Sequence, residues 1–148
     1  MRRDDANYAN VLDTIRVEQE EVQNVLNVLV NASAGAAQVQ PFAELKARLR
    51  QLMEQEEETL YPTVAALNDD ADTVVDTAMT EHDDIEAALV ALEVGITTPK
   101  ITTLATAVNN HFTSERGQLF SFARGVNSNI RHELGMEAGD VKFASVLT

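Results

Sequence analysis

The sequence of 148 residues contains no cysteine and no tryptophan, and aromatic residues make up only 5% of it. A chain without cysteine has no disulfide framework, no thiolate nucleophile and no cysteine-ligated zinc or iron–sulfur site. Any metal ion that this protein binds must therefore be held by histidine, carboxylate, tyrosine or amide groups.

Basic residues are also scarce, because 11 lysines and arginines stand against 24 acidic residues and give a net charge of −13. Binding to a phosphate backbone needs clustered basic side chains, so we expect no nucleic-acid partner. The sequence has no glycine-rich phosphate loop and no Ser/His/Asp arrangement. Hydrolase and nucleotide-binding functions therefore lack a supporting feature.

Long apolar runs are missing as well, and no stretch approaches the ~20 apolar residues needed to cross a bilayer. The N-terminal segment Met1–Asp5 runs directly into acidic residues without the apolar core of a secretory signal. We therefore expect a soluble, cytoplasmic protein without a membrane partner. The hydrophobic content of 45% is too high for a disordered acidic tail and indicates one folded domain.

Three prolines and six glycines lie mostly where four periodic apolar segments begin or end. Apolar residues recur at intervals of three and four, which predicts amphipathic helices. The first helix spans about 5–32, and the second starts at Pro41 and is bent or ended early by Pro62. The third is capped by Asp70 or Asp72.

The third predicted helix stops at Gly95, and the fourth starts at Thr98-Pro99. Four such helices with short loops predict an all-α, up-down-up-down four-helix bundle. We assign residues 1–134 to this bundle and residues 135–148 to a C-terminal tail.

Polar residues interrupt the apolar stripes at the middle of every predicted helix. Because antiparallel helices of similar length bring their midpoints level, these residues should meet in one core layer. They are Gln19, Glu56, His82, His111 and Glu115.

Two carboxylates and two imidazoles in a dry core need a compensating partner. The first interpretation is a metal ion such as iron or manganese, held by Glu56, His82, His111 and Glu115. The second is a buried hydrogen-bond cluster without metal, in which the histidines pair with the glutamates and Gln19 bridges. Outside this layer, His132 is expected to be a solvated residue. Tyr61 either reaches toward the site or is a core aromatic whose hydroxyl lies at the edge, and we favour the second interpretation.

Four short motifs in order resemble the hemerythrin-like (HHE cation-binding) domain family, over about residues 8–126. The second helix contains Glu56-Glu57-Glu58-Thr59-Leu60-Tyr61-Pro62, similar to the family's Glu-Glu-x-x-Leu-Tyr-Pro. The third contains Glu81-His82-Asp83-Asp84-Ile85, similar to Glu-His-x-x-Ile, and the fourth contains His111-Phe112-Thr113-Ser114-Glu115, similar to His-x-x-x-Glu. The first helix contains Glu18-Gln19-Glu20, where the family usually has an acidic residue followed by histidine.

The resemblance implies a two-iron centre, yet two of the family's histidine positions fall on Gln19 and Leu52. Three states stay open: one metal on the remaining half-site, a rebuilt two-metal site that recruits Gln19, Glu20 or Glu57, and a metal-free relic. The expected function is non-haem iron binding with a degenerate centre, for sensing, carrying or storing O2, NO or iron.

Two other functions are alternatives to this one. The protein could be a metal-free interaction bundle, or a metal-dependent enzyme that consumes peroxide or NO. We expect a binding protein rather than an enzyme, with a small diatomic ligand as its partner. The sequence does not indicate the oligomeric state.

Overall fold

The computed structural model describes the backbone of residues 3–125 and the side chains of residues 12–125. The predicted tail at 135–148 and His132 lie outside the described residues. Four long helices account for nearly all of the described chain. They are α1 (Arg3–Asn31), α2 (residues 39–65, preceded by the 3₁₀ turn Ala36–Gln38), α3 (Asp69–Val94) and α4 (residues 98–125).

The helices pack as a ring, in which α1 contacts α2 and α4, and α3 contacts the same two neighbours. Short loops join consecutive helices, so neighbours run antiparallel. The predicted all-α, up-down-up-down bundle is confirmed, and no strand occurs in residues 3–125. Within that range no helix has the length and apolar character to cross a membrane.

The helix starts differ from the expected ones by a few residues. Helix α3 is capped by Asn68, whose Oδ1 accepts the N–H of Ala71 at 2.8 Å, so the prediction of Asp70 or Asp72 as the cap was wrong. The side chain of Thr97 caps α4 one residue before the expected position. A polar side chain with an extended backbone satisfies the otherwise unpaired N–H groups of the first turn, and the residue just before the helix does this best.

Helix α2 also departs from its expected limits. It begins at Val39, so Pro41 lies inside its first turn, where a missing N–H is tolerated. Its last helical residue is Ala65, three positions after Pro62. This agrees with the prediction that Pro62 ends the helix early. Leu67, two residues after the end of α2, is 39% exposed.

Two wide turns interrupt α2 and α4 at matching places. Residues Glu56–Leu60 and Glu115–Leu119 form π-helical turns, in which Tyr61 N–H donates to the Glu56 carbonyl and Phe120 N–H to the Glu115 carbonyl. Each turn starts at one of the buried glutamates. The extra residue in a π turn keeps side chains spaced four apart on one face, where a regular helix of 3.6 residues per turn would rotate them away.

Leucines and other aliphatic side chains fill the core above and below this level. Among the side chains that are almost fully enclosed are Ile15, Leu26, Leu29, Leu45, Leu49, Ile85, Leu89 and Leu92. On the surface, Arg50 joins α2 to α3 through Glu86 and Glu93, and Arg48 joins α2 to α1 through Glu18. The polar layer therefore lies between apolar layers of the core.

Candidate metal centre

The five polar residues singled out from the sequence are brought together in one buried layer. Gln19 comes from α1, Glu56 from α2, His82 from α3, and His111 with Glu115 from α4. None of them is more than 3% exposed. Each of the two histidines and two glutamates contributes one potential ligand atom, and these four atoms all lie within 4.8 Å of one another. All four helices therefore contribute to a single cluster.

A carboxylate orients each histidine from outside. The Nδ1 atom of His82 lies 2.7 Å from Oε2 of Glu57, and Nδ1 of His111 lies 2.8 Å from Oε1 of Glu81. An ionised carboxylate can only accept, so each Nδ1 carries the hydrogen and donates it. This arrangement is the usual support of a metal-binding histidine, because it fixes the tautomer and directs the other nitrogen inward.

The two inward nitrogens face each other closely. The Nε2 atoms of His82 and His111 lie 3.1 Å apart. With both rings neutral and protonated at Nδ1, these atoms carry lone pairs and neither can donate a hydrogen bond. Oε1 of Glu56 is 3.1 Å from Nε2 of His82 and 3.9 Å from that of His111. Oε2 of Glu115 lies 3.3 Å from Nε2 of His111. Two nitrogens and two carboxylate oxygens therefore converge on one small volume, which suits a cation.

Glu56 supplies a second indication of a missing positive charge. Its side chain is fully buried, and its Oε2 atom has no hydrogen-bond partner in residues 12–125. A buried carboxylate oxygen without a partner costs on the order of 1–3 kcal/mol or more. The donor set of two imidazoles and two carboxylates, with one oxygen unpaired, fits a metal ion of the iron or manganese type.

Tyr61 lies in the cluster and not at its edge, so the favoured interpretation of its hydroxyl was wrong and the alternative, that it reaches toward the site, is the one observed. The hydroxyl donates to Oε2 of Glu115 and lies 3.0 Å from Nε2 of His82. Burial, followed by the charges of Glu56 and Glu115, raises the pKa of Tyr61, which keeps the phenol protonated. Tyr61 directly follows the π turn Glu56–Leu60, and its side chain is buried.

Gln19 and Leu52 occupy the positions where the resemblance implies two further histidines. Gln19 donates its Nε2–H to Oε1 of Glu115 at 2.6 Å and accepts the Nε–H of Arg116 through its own Oε1 at 2.8 Å. Leu52 is 2% exposed and purely apolar. This side of the layer therefore offers a hydrogen-bonded amide and a hydrocarbon in place of nitrogen ligands.

Protons can compensate part of the charge when no metal is bound. Burial and the charge of Glu56 raise the pKa of Glu115 to about 8. Burial alone lowers the pKa of His111, but hydrogen bonds to Glu115 and Glu56 outweigh this effect and raise it to about 11. Burial lowers the pKa of His82, against a hydrogen bond to Glu57. Of the two histidines, His111 is therefore the one that is protonated and positively charged in the metal-free protein.

Sequence reasoning missed the roles of Glu57, Glu81, Tyr61 and Arg116. Glu57 and Glu81 flank site residues in the chain, but only the packing of α2 against α3, and of α3 against α4, places each beside a histidine of the next helix. A detectable signal existed for the π turns. The residues at 52, 56, 60, 64 and at 111, 115, 119, 123 are all buried, and a regular helix turns such a series of four-residue steps gradually off one face.

Comparison with known proteins agrees with this geometry. The family model of the hemerythrin HHE cation binding domain matches residues 10–123, which is most of the chain and covers all four helices. No curated protein and no solved structure gives a significant match. The chain belongs to the hemerythrin HHE cation-binding domain family, and the buried cluster is its candidate metal site.

Proposed function

We propose that the protein binds one non-haem iron ion through Glu56, His82, His111 and Glu115. The observation that carries this proposal is the pair of Nε2 atoms 3.1 Å apart, each ring held by an outer carboxylate. Two neutral imidazoles so placed repel each other through their lone pairs unless a cation or a proton lies between them. Two histidines with carboxylate oxygen form the ligand set typical of non-haem Fe(II) sites, and manganese is the second choice.

The number of ions follows from the other side of the cluster. A second ion would need ligands near Gln19 and Leu52. Leu52 has no donor atom, and both polar atoms of the Gln19 side chain already have partners. The guanidinium of Arg116 adds positive charge beside Gln19, which disfavours a second cation there. One ion on the histidine side is therefore the arrangement that the residues support.

A small diatomic ligand such as O2 or NO is the proposed partner of the site. Four protein ligands do not fill the coordination sphere of iron, and open positions are where exogenous ligands bind. Tyr61 supplies a hydroxyl 3.0 Å from Nε2 of His82, and the four proposed ligands are at most 3% exposed. Binding for sensing or transport needs no further catalytic group, which favours a binding protein over an enzyme.

Metal analysis of the tag-free chain tests the proposal. Protein produced with added iron and quantified by elemental mass spectrometry should contain about one iron per chain, the stoichiometry argued above. About two irons per chain, with oxo-to-iron absorption bands, would contradict the one-ion proposal. A chain that stays metal-free after anaerobic reconstitution with Fe(II) or Mn(II) would overturn metal binding and leave the interaction-bundle alternative.

The diatomic ligand is tested separately on the iron-loaded protein. Addition of NO to the Fe(II) form should produce the visible bands and the half-integer-spin paramagnetic resonance signal of an iron–nitrosyl unit. The Tyr61→Phe variant should retain iron and bind NO with a shifted spectrum, because it removes the only hydroxyl in the cluster. An unchanged spectrum of the iron form after NO addition would reject the ligand proposal but not the metal site.

A further inference from the structure

A pocket with an unusual charge lies between α1 and α4. Its volume is about 320 Å³, and Arg16, Glu20, Arg116, Phe120 and Arg124 line it. Three of the seven lysines and arginines between residues 12 and 125 meet here, in a chain with a net charge of −13. Arg116, Phe120 and Arg124 are four residues apart on one face of α4, and Arg16 and Glu20 are four apart on α1.

These three arginines lack the acidic partners that the basic residues of α2 have. Lys46, Arg48 and Arg50 each form an ion pair with a glutamate. Within residues 12–125, none of the pocket arginines pairs with a carboxylate. Glu20 is the only acid in the lining and lies beyond ion-pair distance of them. The pocket thus has three positive charges against one negative charge.

The known contacts of the pocket arginines leave most of their donors unused. Arg116 gives its Nε–H to Gln19 and lies over the ring of Phe112 at 5.6 Å. Arg124 donates one bond, to Ser121. The terminal nitrogens of Arg116 have no hydrogen-bond partner in the described part of the chain. A guanidinium whose Nε side is fixed and whose outer edge is unpaired is prepared to bind a planar or tetrahedral oxyanion through two parallel bonds.

We propose that this pocket binds a small oxyanion, a carboxylate or a phosphate, between Arg16, Arg116 and Arg124. The buried ring of Phe120 forms an apolar surface of the pocket, so the anion can carry a small organic group. The volume is at the lower end of the range for small-molecule sites, which fits a metabolite-sized anion and not a polymer.

The pocket shares one residue with the metal centre. Arg116 bonds to Gln19, and Gln19 bonds to Glu115, so two hydrogen bonds connect the pocket with the buried cluster. An anion on Arg116 reduces the positive charge that polarises the Gln19 amide, which leaves more negative charge on Glu115. The anion should therefore favour a bound cation, and this consequence rests on the proposed metal function, whereas the anion site itself does not.

Anion binding can be measured on the full chain without metal. Chelator-treated protein that keeps its helical circular dichroism is titrated with inorganic phosphate and, in parallel, with acetate at constant ionic strength in chloride. We expect saturable shifts of the Arg116 Nε–H resonance and of the Gln19 side-chain amide in nuclear magnetic resonance spectra. A stronger response to phosphate identifies a phosphate ligand, and a stronger response to acetate identifies a carboxylate.

Matched variants separate this site from a general charge effect. Arg16→Gln and Arg124→Gln should each weaken binding by about fivefold, as expected for the loss of one partly exposed charge contact. Arg48→Gln removes the same charge from another surface and should leave the affinity unchanged. The anion-site proposal would be overturned if all three variants weakened binding equally. It would also be overturned if chloride alone produced the same resonance shifts as phosphate and acetate.

The link to the metal centre has its own readout in the same titration. If the Arg116 resonance shifts to saturation while the Gln19 amide resonance does not shift, the proposed connection through Arg116 is wrong. Because the protein is metal-free throughout, failure of the proposed metal function does not affect the result. The anion site and the iron site are therefore tested independently.

Discussion

The side-chain amide of Gln19 donates to Oε1 of Glu115 over 2.6 Å and joins α1 to α4 at the centre of the bundle. The residues are 96 positions apart in the chain, and both are buried. Glu115 receives its other hydrogen bond from Tyr61. Both of its oxygens are thus held by neutral donors, which fixes the carboxylate beside His111.

Replacing Gln19 by alanine should disturb both the fold and the site. The Gln19→Ala variant leaves Oε1 of Glu115 without a partner, which should lower the free energy of unfolding by about 1–3 kcal/mol. Metal affinity should fall by about tenfold, because a supporting residue of a ligand is lost. Urea unfolding and competition with a metal chelator measure the two effects. Gln23→Ala, one turn further on α1, is the control and should change neither.

Removing either histidine should reduce metal content without unfolding the protein. His82→Ala and His111→Ala each delete one nitrogen ligand, while the apolar core around the layer keeps the helices together. Elemental analysis should show less metal in each variant, and far-ultraviolet circular dichroism should show the same helix content. Met79→Ala, at a 37% exposed position one turn from His82, is the control. Full metal occupancy in either histidine variant would remove that residue from the ligand set.

The carboxylates of Glu57 and Glu81, which hold the histidine rings from outside, should affect metal affinity almost as strongly as the ligands do. Glu57→Gln and Glu81→Gln replace an acceptor that holds Nδ1–H by an amide that can rotate and compete. Metal affinity should fall by about 10- to 100-fold, the range for such supporting residues. Glu58→Gln has the same chemistry on an exposed residue next to Glu57 and should bind metal normally. If the Glu58 and Glu57 variants behave alike, the orienting role of Glu57 is refuted.

The metal-free protein should lose stability as the pH rises above neutrality. The pKa of Glu115 is raised from 4.5 to about 8 and that of His111 from 6.5 to about 11, so the folded chain holds protons that the unfolded chain releases. Their stabilising effect is complete below the unfolded pKa values and is lost as the pH passes through the folded ones. The lowered pKa of His82 has the opposite effect, because it reduces stability as the pH falls. This effect is confined to pH values below the usual histidine pKa of 6.5.

Urea unfolding of chelator-treated protein between pH 7 and pH 9 measures this dependence. The midpoint should decrease steadily with pH. The metal-loaded protein should show a weaker decrease, since a bound cation replaces the protons and binding releases them. A midpoint of the metal-free chain that rises over this interval would contradict the assignment of raised pKa values to Glu115 and His111.

The start of α3 offers a test of the fold that does not involve the site. Asn68→Ala removes the oxygen that accepts the Ala71 N–H and should cost about 1 kcal/mol of unfolding free energy. Asp70→Ala alters a residue in the first turn that accepts no capping bond and should cost only a few tenths of that amount, through the helix dipole. Thermal unfolding of both variants compares them, and a larger loss for the Asp70 variant would restore the original cap prediction.

Periodicity alone was enough to predict the fold and the members of the polar layer. Apolar residues at intervals of three and four specify helices, and a polar residue on that stripe must be buried when the stripe packs. For that reason Gln19, Glu56, His82, His111 and Glu115 were identified without coordinates. The helix limits were less exact, as Asn68 and Val39 show, because capping depends on local backbone geometry that several neighbouring residues could adopt.

Only the tertiary structure determined how the layer is held and where its charges are compensated. Glu57 and Glu81 belong to the motifs read from the sequence, yet only packing against the next helix makes each the partner of a histidine. Tyr61 on α2 donates to Glu115 on α4, and Arg116 reaches the cluster through Gln19 on α1. Sequence spacing fixes which face of a helix a residue occupies, whereas contacts between helices depend on their relative rotation and height. The candidate metal ligands can therefore be read from the apolar stripes of the sequence, whereas their supporting hydrogen bonds exist only in the assembled bundle.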